Sequence, residues 1–204
     1  MHGAGEAAPV DLWVAVVIVT ICIAASAFFS GSETALTAAS RVRMHGLERH
    51  GDKRARLVNK LLSSRGRLIG AMLLGNTIVN IGASAFMTNV LTGVFGDAGV
   101  IYATFLMTVL LLIFSEVLPK TIGINFPDRM SLIVARPAAV FVYAMTPVMI
   151  AIDAVVGGVL RLVGLRAGEH GSVLTPQEEL RSAVDLLHKE GSVERSHRDM
   201  FGGL

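Results

Sequence analysis

Side chains that carry oxygen recur at helical spacing inside the apolar stretches of this 204-residue sequence. Each of the first two stretches places three of them on one helical face: Ser26, Ser30 and Glu33, then Asn76, Asn80 and Ser84. A polar side chain in lipid costs free energy unless it has a partner, so each face calls for a partner or a ligand. Hydroxyl and carboxamide oxygens are hard donors, which suit Mg²⁺, Ca²⁺ or Na⁺.

The third apolar stretch offers a carboxylate and a released backbone oxygen. Ser115 and Glu116 lie shortly before Pro119, whose missing N–H leaves the carbonyl of Ser115 without its helical donor. Glu116 is the only acid between residues 100 and 118. An acid at membrane depth indicates a function. The alternative is an i, i+4 ion pair with Lys120.

Helix packing is the competing explanation for several of these residues. Serine and asparagine commonly hold transmembrane helices together, and for Ser84 taken alone that is the ordinary role. For Ser26 and Ser30 both explanations stay open. Glu33 could equally neutralise Arg41 or Arg43 at the membrane surface.

Catalysis is not indicated by these residues. A serine hydrolase needs a base beside its nucleophile, and every histidine lies outside the three apolar stretches: His2, His45, His50, His170, His188 and His197. The single cysteine, Cys22, cannot form a thiolate cluster by itself. We therefore expect neither an enzyme nor a zinc or copper site.

The elements that must position these residues are membrane helices. The chain is 52% hydrophobic and 17% charged, against roughly a quarter charged in soluble domains. Three stretches are long enough to cross about 30 Å of hydrocarbon: residues 12–39, 68–95 and 100–122.

A basic segment separates the first two spans. Residues 41–67 contain nine Lys or Arg against two acids. Such a block could bind nucleic acid, but its position between two apolar stretches favours a cytoplasmic loop that faces anionic lipid. We expect no nucleic acid partner, an extracytoplasmic N-terminus (residues 1–11), a cytoplasmic C-terminus and a bacterial-type inner membrane.

The fourth apolar stretch, residues 130–163, differs from the other three. Positive charge lies at both of its ends, and Pro137 and Pro147 are expected to break it into short pieces. These features favour a re-entrant hairpin or a belt of juxtamembrane helices over residues 129–163 rather than a fourth span. Beyond it, Thr175 and Pro176 are typical of a helix start, and an amphipathic helix is expected to follow.

Three motifs, one in each span, resemble the transmembrane domain of the CorC/CNNM group of magnesium-transport proteins. They are Phe28-Phe29-Ser30-Gly31-Ser32-Glu33-Thr34-Ala35, Leu73-Leu74-Gly75-Asn76-Thr77-Ile78-Val79-Asn80 and Phe114-Ser115-Glu116-Val117-Leu118-Pro119-Lys120. The resemblance covers about residues 12–163. It implies an all-α membrane domain over residues 12–167, with three transmembrane helices, a helical belt and a homodimeric assembly.

The resemblance also implies a ligand set and an ion. Mg²⁺ would be held by Ser26, Ser30, Asn76 or Asn80, and Glu116, with backbone oxygens near Gly31, Gly75 and Ser115 contributing. Ser84, on the same face as Asn80, completes the predicted set. The expected activity is Mg²⁺ efflux coupled to Na⁺ entry.

Two further expectations follow from the same resemblance. ATP would bind only to CBS domains, which these 204 residues do not contain, and residues 168–204 would begin the cytoplasmic helical linker that precedes them. Two alternatives to transport stay open at this point: a membrane sensor of Mg²⁺ or Na⁺, and a membrane anchor whose polar residues only hold a dimer together.

Overall fold

The computed structural model describes residues 12–162, which form helices joined by short turns. In chain order these are α1 (Leu12–Ala38), α2 (Arg41–Arg49), α3 (Lys53–Leu62), α4 (Arg65–Phe95), α5 (Ala98–Leu110), a π-helical segment (Leu111–Val117), α6 (Leu118–Asn125) and α7 (Pro127–Leu162). The predictions for residues 1–11 and 168–204, including the helix start at Thr175, lie outside the described residues. The chain divides after Ala151 into two compact units, and the packing described below belongs to the first.

Within residues 12–162, four helical stretches are long and apolar enough to cross a membrane: Trp13–Ala38, Arg65–Phe95, Ala98–Asn125 and Pro127–Leu160. The first three confirm that the predicted stretches 12–39, 68–95 and 100–122 are helical, with ends that differ by three residues or fewer. A helix of 26 residues is roughly 39 Å long, which exceeds the ~30 Å of a hydrocarbon core.

The prediction that Pro137 and Pro147 break the fourth apolar stretch is wrong. Residues Pro127–Leu162 form one continuous helix that contains both prolines. A proline removes one backbone hydrogen bond, but tertiary packing can hold the helix together across the gap. Buried side chains flank Pro137 on both sides: Val134, Ala135, Ala138 and Ala139. Because these residues pack into the main apolar core, the backbone around Pro137 stays helical.

The basic segment, predicted as a loop over residues 41–67, is a helical hairpin followed by the first turn of α4. Gly51 closes the hairpin with φ +89°, a conformation that favours glycine. Asp52 caps α3 by accepting from the N–H of Arg54 at 2.8 Å. That hydrogen bond holds the pKa of Asp52 below its usual value. Glu48 joins the two helices by accepting from Asn59 at 2.6 Å.

Two apolar clusters hold the first unit together. The larger one combines α2, α3 and the start of α4 with α1 and α7, and its buried members include Leu36, Met44 and Leu68. The smaller one lies among α1, α4 and α5, around Val19 and Met107. These two clusters lie on either side of the polar face of α1.

A tight turn brings α5 back against α4. Gly96 has φ +61° and ends α4. A Cβ atom on Gly99 would lie 2.3 Å from the carbonyl oxygen of Leu91, so only glycine fits there. The turn sets α4 and α5 side by side, which leads the π-helical segment back toward α1.

Candidate cation site between the membrane helices

Three side-chain oxygens from α1 and α4 converge on one point. The hydroxyl oxygen of Ser26 lies 2.5 Å from Oδ1 of Asn76 and 2.6 Å from Oδ1 of Asn80. Ser26 is fully buried, whereas both asparagines are partly accessible. A serine hydroxyl has a single proton, so it can donate to only one of the two carboxamides. The second carboxamide lies within hydrogen-bond distance of the same hydroxyl oxygen, so three hard polar groups meet at one point between the helices.

The spacing of the residues explains the convergence. Asn76 and Asn80 are one turn apart, so both face α1 from the same side of α4. Apolar layers border the cluster along both helices. On one side the ring of Phe29 in α1 contacts that of Phe141, tilted by 50° at a centroid distance of 4.6 Å, and on the other Val19 packs with Ala83. These layers lower the local dielectric, which strengthens any ion–dipole interaction at the oxygens.

Ser30 adds a fourth oxygen one turn along α1 from Ser26. Its side chain is 1% exposed, and its hydroxyl has no hydrogen-bond partner within residues 12–162. A buried hydroxyl without a partner costs about 1–3 kcal/mol. Ser30 therefore has a buried hydroxyl that is free to bind a cation, as the predicted ligand set requires.

Ser32 shares this property, although the sequence pattern did not select it. It is fully buried, and its hydroxyl also lacks a partner in the described part of the chain. Residues two positions apart in sequence point about 200° apart around a helix, so Ser30 and Ser32 face different neighbours. The Ser-Gly-Ser tripeptide was the available signal, but burial on that face depends on the packing of α1.

The π-helical segment places Ser115 against α1. The N–H of Leu118 donates to the carbonyl of Ile113, five residues back, which is the π-helical pattern. Ser115 is fully buried and donates to the carbonyl oxygen of Ile23 at 3.5 Å. Such π-helical insertions occur frequently at functional sites. Pro119 lies in the first turn of α6, which follows, and contributes no N–H of its own.

Glu116 lies beside Ser115 but is directed elsewhere. Its side chain is 42% exposed, and Oε2 lies 4.0 Å from Nζ of Lys120. Within the described residues it has no hydrogen bond to Ser26, Asn76 or Asn80. The i, i+4 pair that the sequence offered as an alternative is therefore present in this structure.

The two predicted glycines have a clear packing role. A Cβ atom on Gly75 would lie 2.8 Å from Cζ of Phe141 and 2.9 Å from Cε1 of Phe29. A Cβ atom on Gly31 would lie 3.2 Å from Cβ of Pro119, because α6 crosses α1 closely there. Gly75 thus makes room for the aromatic layer next to the oxygens, and Gly31 makes room for α6.

Ser84 and Glu33 have no direct link to the oxygen cluster among residues 12–162. The carbonyl of Ser84 accepts from the hydroxyl of Thr88 at 2.8 Å. Neither Arg41 nor Arg43 pairs with Glu33 in this part of the chain: Arg41 donates to the carbonyl of Leu62, and Arg43 pairs with Asp128 at 2.5 Å. Neutralisation of Glu33 by these arginines is therefore not what the structure shows.

The described residues contain no group of three or more His, Cys, Asp or Glu side chains placed to hold a metal ion. What Ser26, Asn76 and Asn80 offer is a set of neutral oxygens between two helices. Neutral hard oxygens can replace part of the hydration shell of a small cation. Because they add no formal charge, they hold that ion less strongly than carboxylates would.

Comparison with known proteins places the chain in a family. The sequence profile of the cyclin M (CNNM) transmembrane N-terminal domain matches residues 17–197. A UPF0053 inner membrane protein of Escherichia coli K12, YfjD, is 36% identical over 177 residues, covering 86% of this chain and 41% of the relative.

Two further relatives have similar coverage of the chain. A UPF0053 protein of Haemophilus influenzae is 34% identical over 168 residues, or 82% of this chain and 40% of the relative. A chloroplastic DUF21 domain-containing protein of Arabidopsis thaliana is 30% identical over 184 residues, or 90% of this chain and 28% of the relative. The chain thus spans about two fifths or less of the length of these relatives.

Four apolar helices and the match to an inner membrane protein establish that this is an integral membrane protein whose helices contact the lipid bilayer. The profile match over most of the chain confirms the resemblance carried by the three sequence motifs. The chain belongs to the CNNM (CorC/CNNM) family and contains its transmembrane domain.

Proposed function

We propose that this chain transports Mg²⁺ across the membrane, as an efflux step driven by Na⁺ entry. The observation that carries the proposal is the convergence of Ser26, Asn76 and Asn80, whose polar side chains meet at one point between α1 and α4. Ser30 supplies a further buried hydroxyl without a partner. A transported ion must also leave, and a site of neutral oxygens favours release.

The transport proposal predicts loss of flux when an oxygen is removed. Purified protein in liposomes should move Mg²⁺ down an imposed Na⁺ gradient, and Asn76→Ala or Asn80→Ala should reduce that flux at least tenfold. A good oxygen ligand is worth about 1–3 kcal/mol when its removal leaves a buried group unsatisfied. The matched control is Asn125→Ala at the end of α6, whose carboxamide donates to its own helix at Thr121.

The same experiment separates the alternatives. Flux that persists in both asparagine variants would refute the site. Mg²⁺-dependent stabilisation of the wild type without any flux would instead favour a sensor. If Mg²⁺ stabilises neither the wild type nor the control, the polar residues serve packing alone.

We also propose that the first part of α7 lies as a belt along the basic end of the bundle. Asp128 accepts from the N–H of Ser40 at 2.9 Å at one end. Fifteen residues later, the ring of Tyr143 lies 5.3 Å from Nζ of Lys60. Two distant points of one helix thus contact the same basic segment, which supports a juxtamembrane position. By the charge rule this end is cytoplasmic and the turn at Gly96 is outside.

A homodimer completes the proposed arrangement. Gly82 on α4 is exposed, and a Cβ atom there would meet nothing within 4 Å in this chain. Small residues on an open face suit close approach of another membrane helix. Native mass spectrometry from detergent should show a mass of twice the chain, and a monomer alone would contradict the dimer.

A further inference from the structure

A cavity of about 120 Å³ lies between the basic segment and α7, away from the oxygen cluster. Lys60 and Arg67 provide two cations in its lining, and Tyr143, Thr146 and Ser64 provide hydroxyls. Its volume is well above the ~10–15 Å³ that one water requires. The cavity lining includes no carboxylate, and within residues 12–162 neither cation forms an ion pair.

The start of α4 adds positive charge to the same cavity. Ser64 precedes α4 but forms no capping hydrogen bond with its side chain, whereas Ser40 and Asp52 cap the two helices before it. The hydroxyl of Ser64 instead accepts from the guanidinium of Arg67 at 2.9 Å. The first turn of this 31-residue helix thus has basic residues and no acid, where the helix dipole favours an anion.

The surroundings of the cavity indicate the source of that anion. The lining joins the first turn of the apolar helix α4 to α7, and next to the lining residues α7 exposes apolar side chains such as Val140, 71% exposed. A ligand there would have its charged group among the cations and its apolar part along α7. Basic pockets at the ends of membrane helices bind anionic headgroups in this way.

We propose that this cavity binds the phosphate of an anionic phospholipid, held by Lys60, Arg67 and the first-turn N–H groups of α4. The guanidinium of Arg67 and the ammonium of Lys60 contact the phosphate oxygens. The hydroxyls of Tyr143 and Thr146 line the opposite wall. Since the pocket joins α4 to α7, a bound lipid fastens the belt helix to the bundle.

The test compares lipids on the purified chain in detergent. At a hundredfold excess over Kd, phosphatidylglycerol should raise the Tm by about 5–10 °C, while phosphatidylcholine and inorganic phosphate should not. Lys60→Gln with Arg67→Gln should abolish the shift. Arg49→Gln with Lys53→Gln, a control that removes the same charge from exposed positions outside the cavity, should keep it.

Three results would overturn the proposal. An equal loss of the shift in both double variants would show attraction to net charge alone. A shift of the same size with inorganic phosphate would exclude a lipid as the source. If the double variant does not fold, native mass spectrometry of Lys60→Gln alone decides: it should retain fewer phosphatidylglycerol molecules than Lys53→Gln, and equal numbers would refute the site.

Discussion

At the scale of single residues, the proposed site of neutral oxygens needs a negative charge if it is to hold a divalent cation. Ser26, Asn76 and Asn80 carry no formal charge, and desolvation of Mg²⁺ is costly without one. Glu116 is the acid adjacent to Ser115, whose buried side chain contacts α1. In this structure the carboxylate of Glu116 is half exposed and lies 4.0 Å from Lys120. An exposed pair of this kind is worth little, about 0–1 kcal/mol, so it can open at small cost.

Substitutions can therefore distinguish the role of Glu116 from that of Lys120. If Glu116 serves the ion, Glu116→Gln should lower Mg²⁺ flux at least tenfold while Lys120→Gln leaves the flux within about twofold. Breaking the exposed pair costs at most about 1 kcal/mol in either variant, so both proteins should fold. Flux in liposomes and the Tm in detergent are the two measurements. An equal effect of the two substitutions on flux would show that Glu116 acts only through its ion pair with Lys120 and does not bind the cation.

At the scale of elements, α1 and α4 hold the oxygens through the layers that border them. Gly75 leaves space for Phe29 and Phe141, which come within 2.9 Å of its missing Cβ. An added methyl group there must push apart two rings that contact each other. Gly82 lies two turns further along the same helix, and the space beside it is open.

This contrast predicts opposite outcomes for the same substitution. Gly75→Ala should destabilise the protein by about 1–3 kcal/mol, since overpacking forces side chains out of their preferred rotamers. Gly82→Ala should leave the stability of the monomer unchanged or raise it slightly, because alanine is the better helix former. Thermal unfolding in detergent, at a protein concentration at which native mass spectrometry shows the monomer, measures both. A larger loss of Tm in Gly82→Ala than in Gly75→Ala would contradict the packing described for α4.

Much of this arrangement could be predicted from local sequence. The i, i+4 spacing of Asn76 and Asn80 was enough to place both on one face, and the structure brings them to Ser26. Ser40 and Asp52, both good N-cap residues, were signals for the two helices of the basic segment, but the charge of the segment dominated its interpretation. The continuity of α7 was beyond local sequence, because tertiary packing around Pro137 decides it. The burial of Ser32 depends on tertiary packing in the same way.

At the scale of the whole molecule, the same contacts suggest a division of the chain by depth. The oxygens of α1 and α4 lie between the two apolar clusters. The basic segment closes one end of the bundle, and α7 contacts it both at Asp128 and at Tyr143. Asp128 and Tyr143 are fifteen residues apart, or about 22 Å of helix, and both lie against the basic end of the bundle, which supports the proposed belt position for this part of α7. A belt position for this part of α7 therefore predicts that both of its ends face the same side of the membrane as the basic segment.

Single cysteines test that statement directly. In a Cys22→Ser background, Lys53→Cys and Asp97→Cys mark the two sides, because both positions are exposed. Lys53 begins α3 in the basic segment before α4, and Asp97 lies in the turn after α4. Arg129→Cys and Ile150→Cys are separated by 21 residues of α7, or about 31 Å of helix, and Ile150 is 61% exposed. For a belt, a membrane-impermeant maleimide should label both from the side that labels Lys53→Cys. If α7 instead crosses the membrane, Arg129→Cys and Ile150→Cys should be labelled from opposite sides, since about 31 Å equals the thickness of the hydrocarbon core.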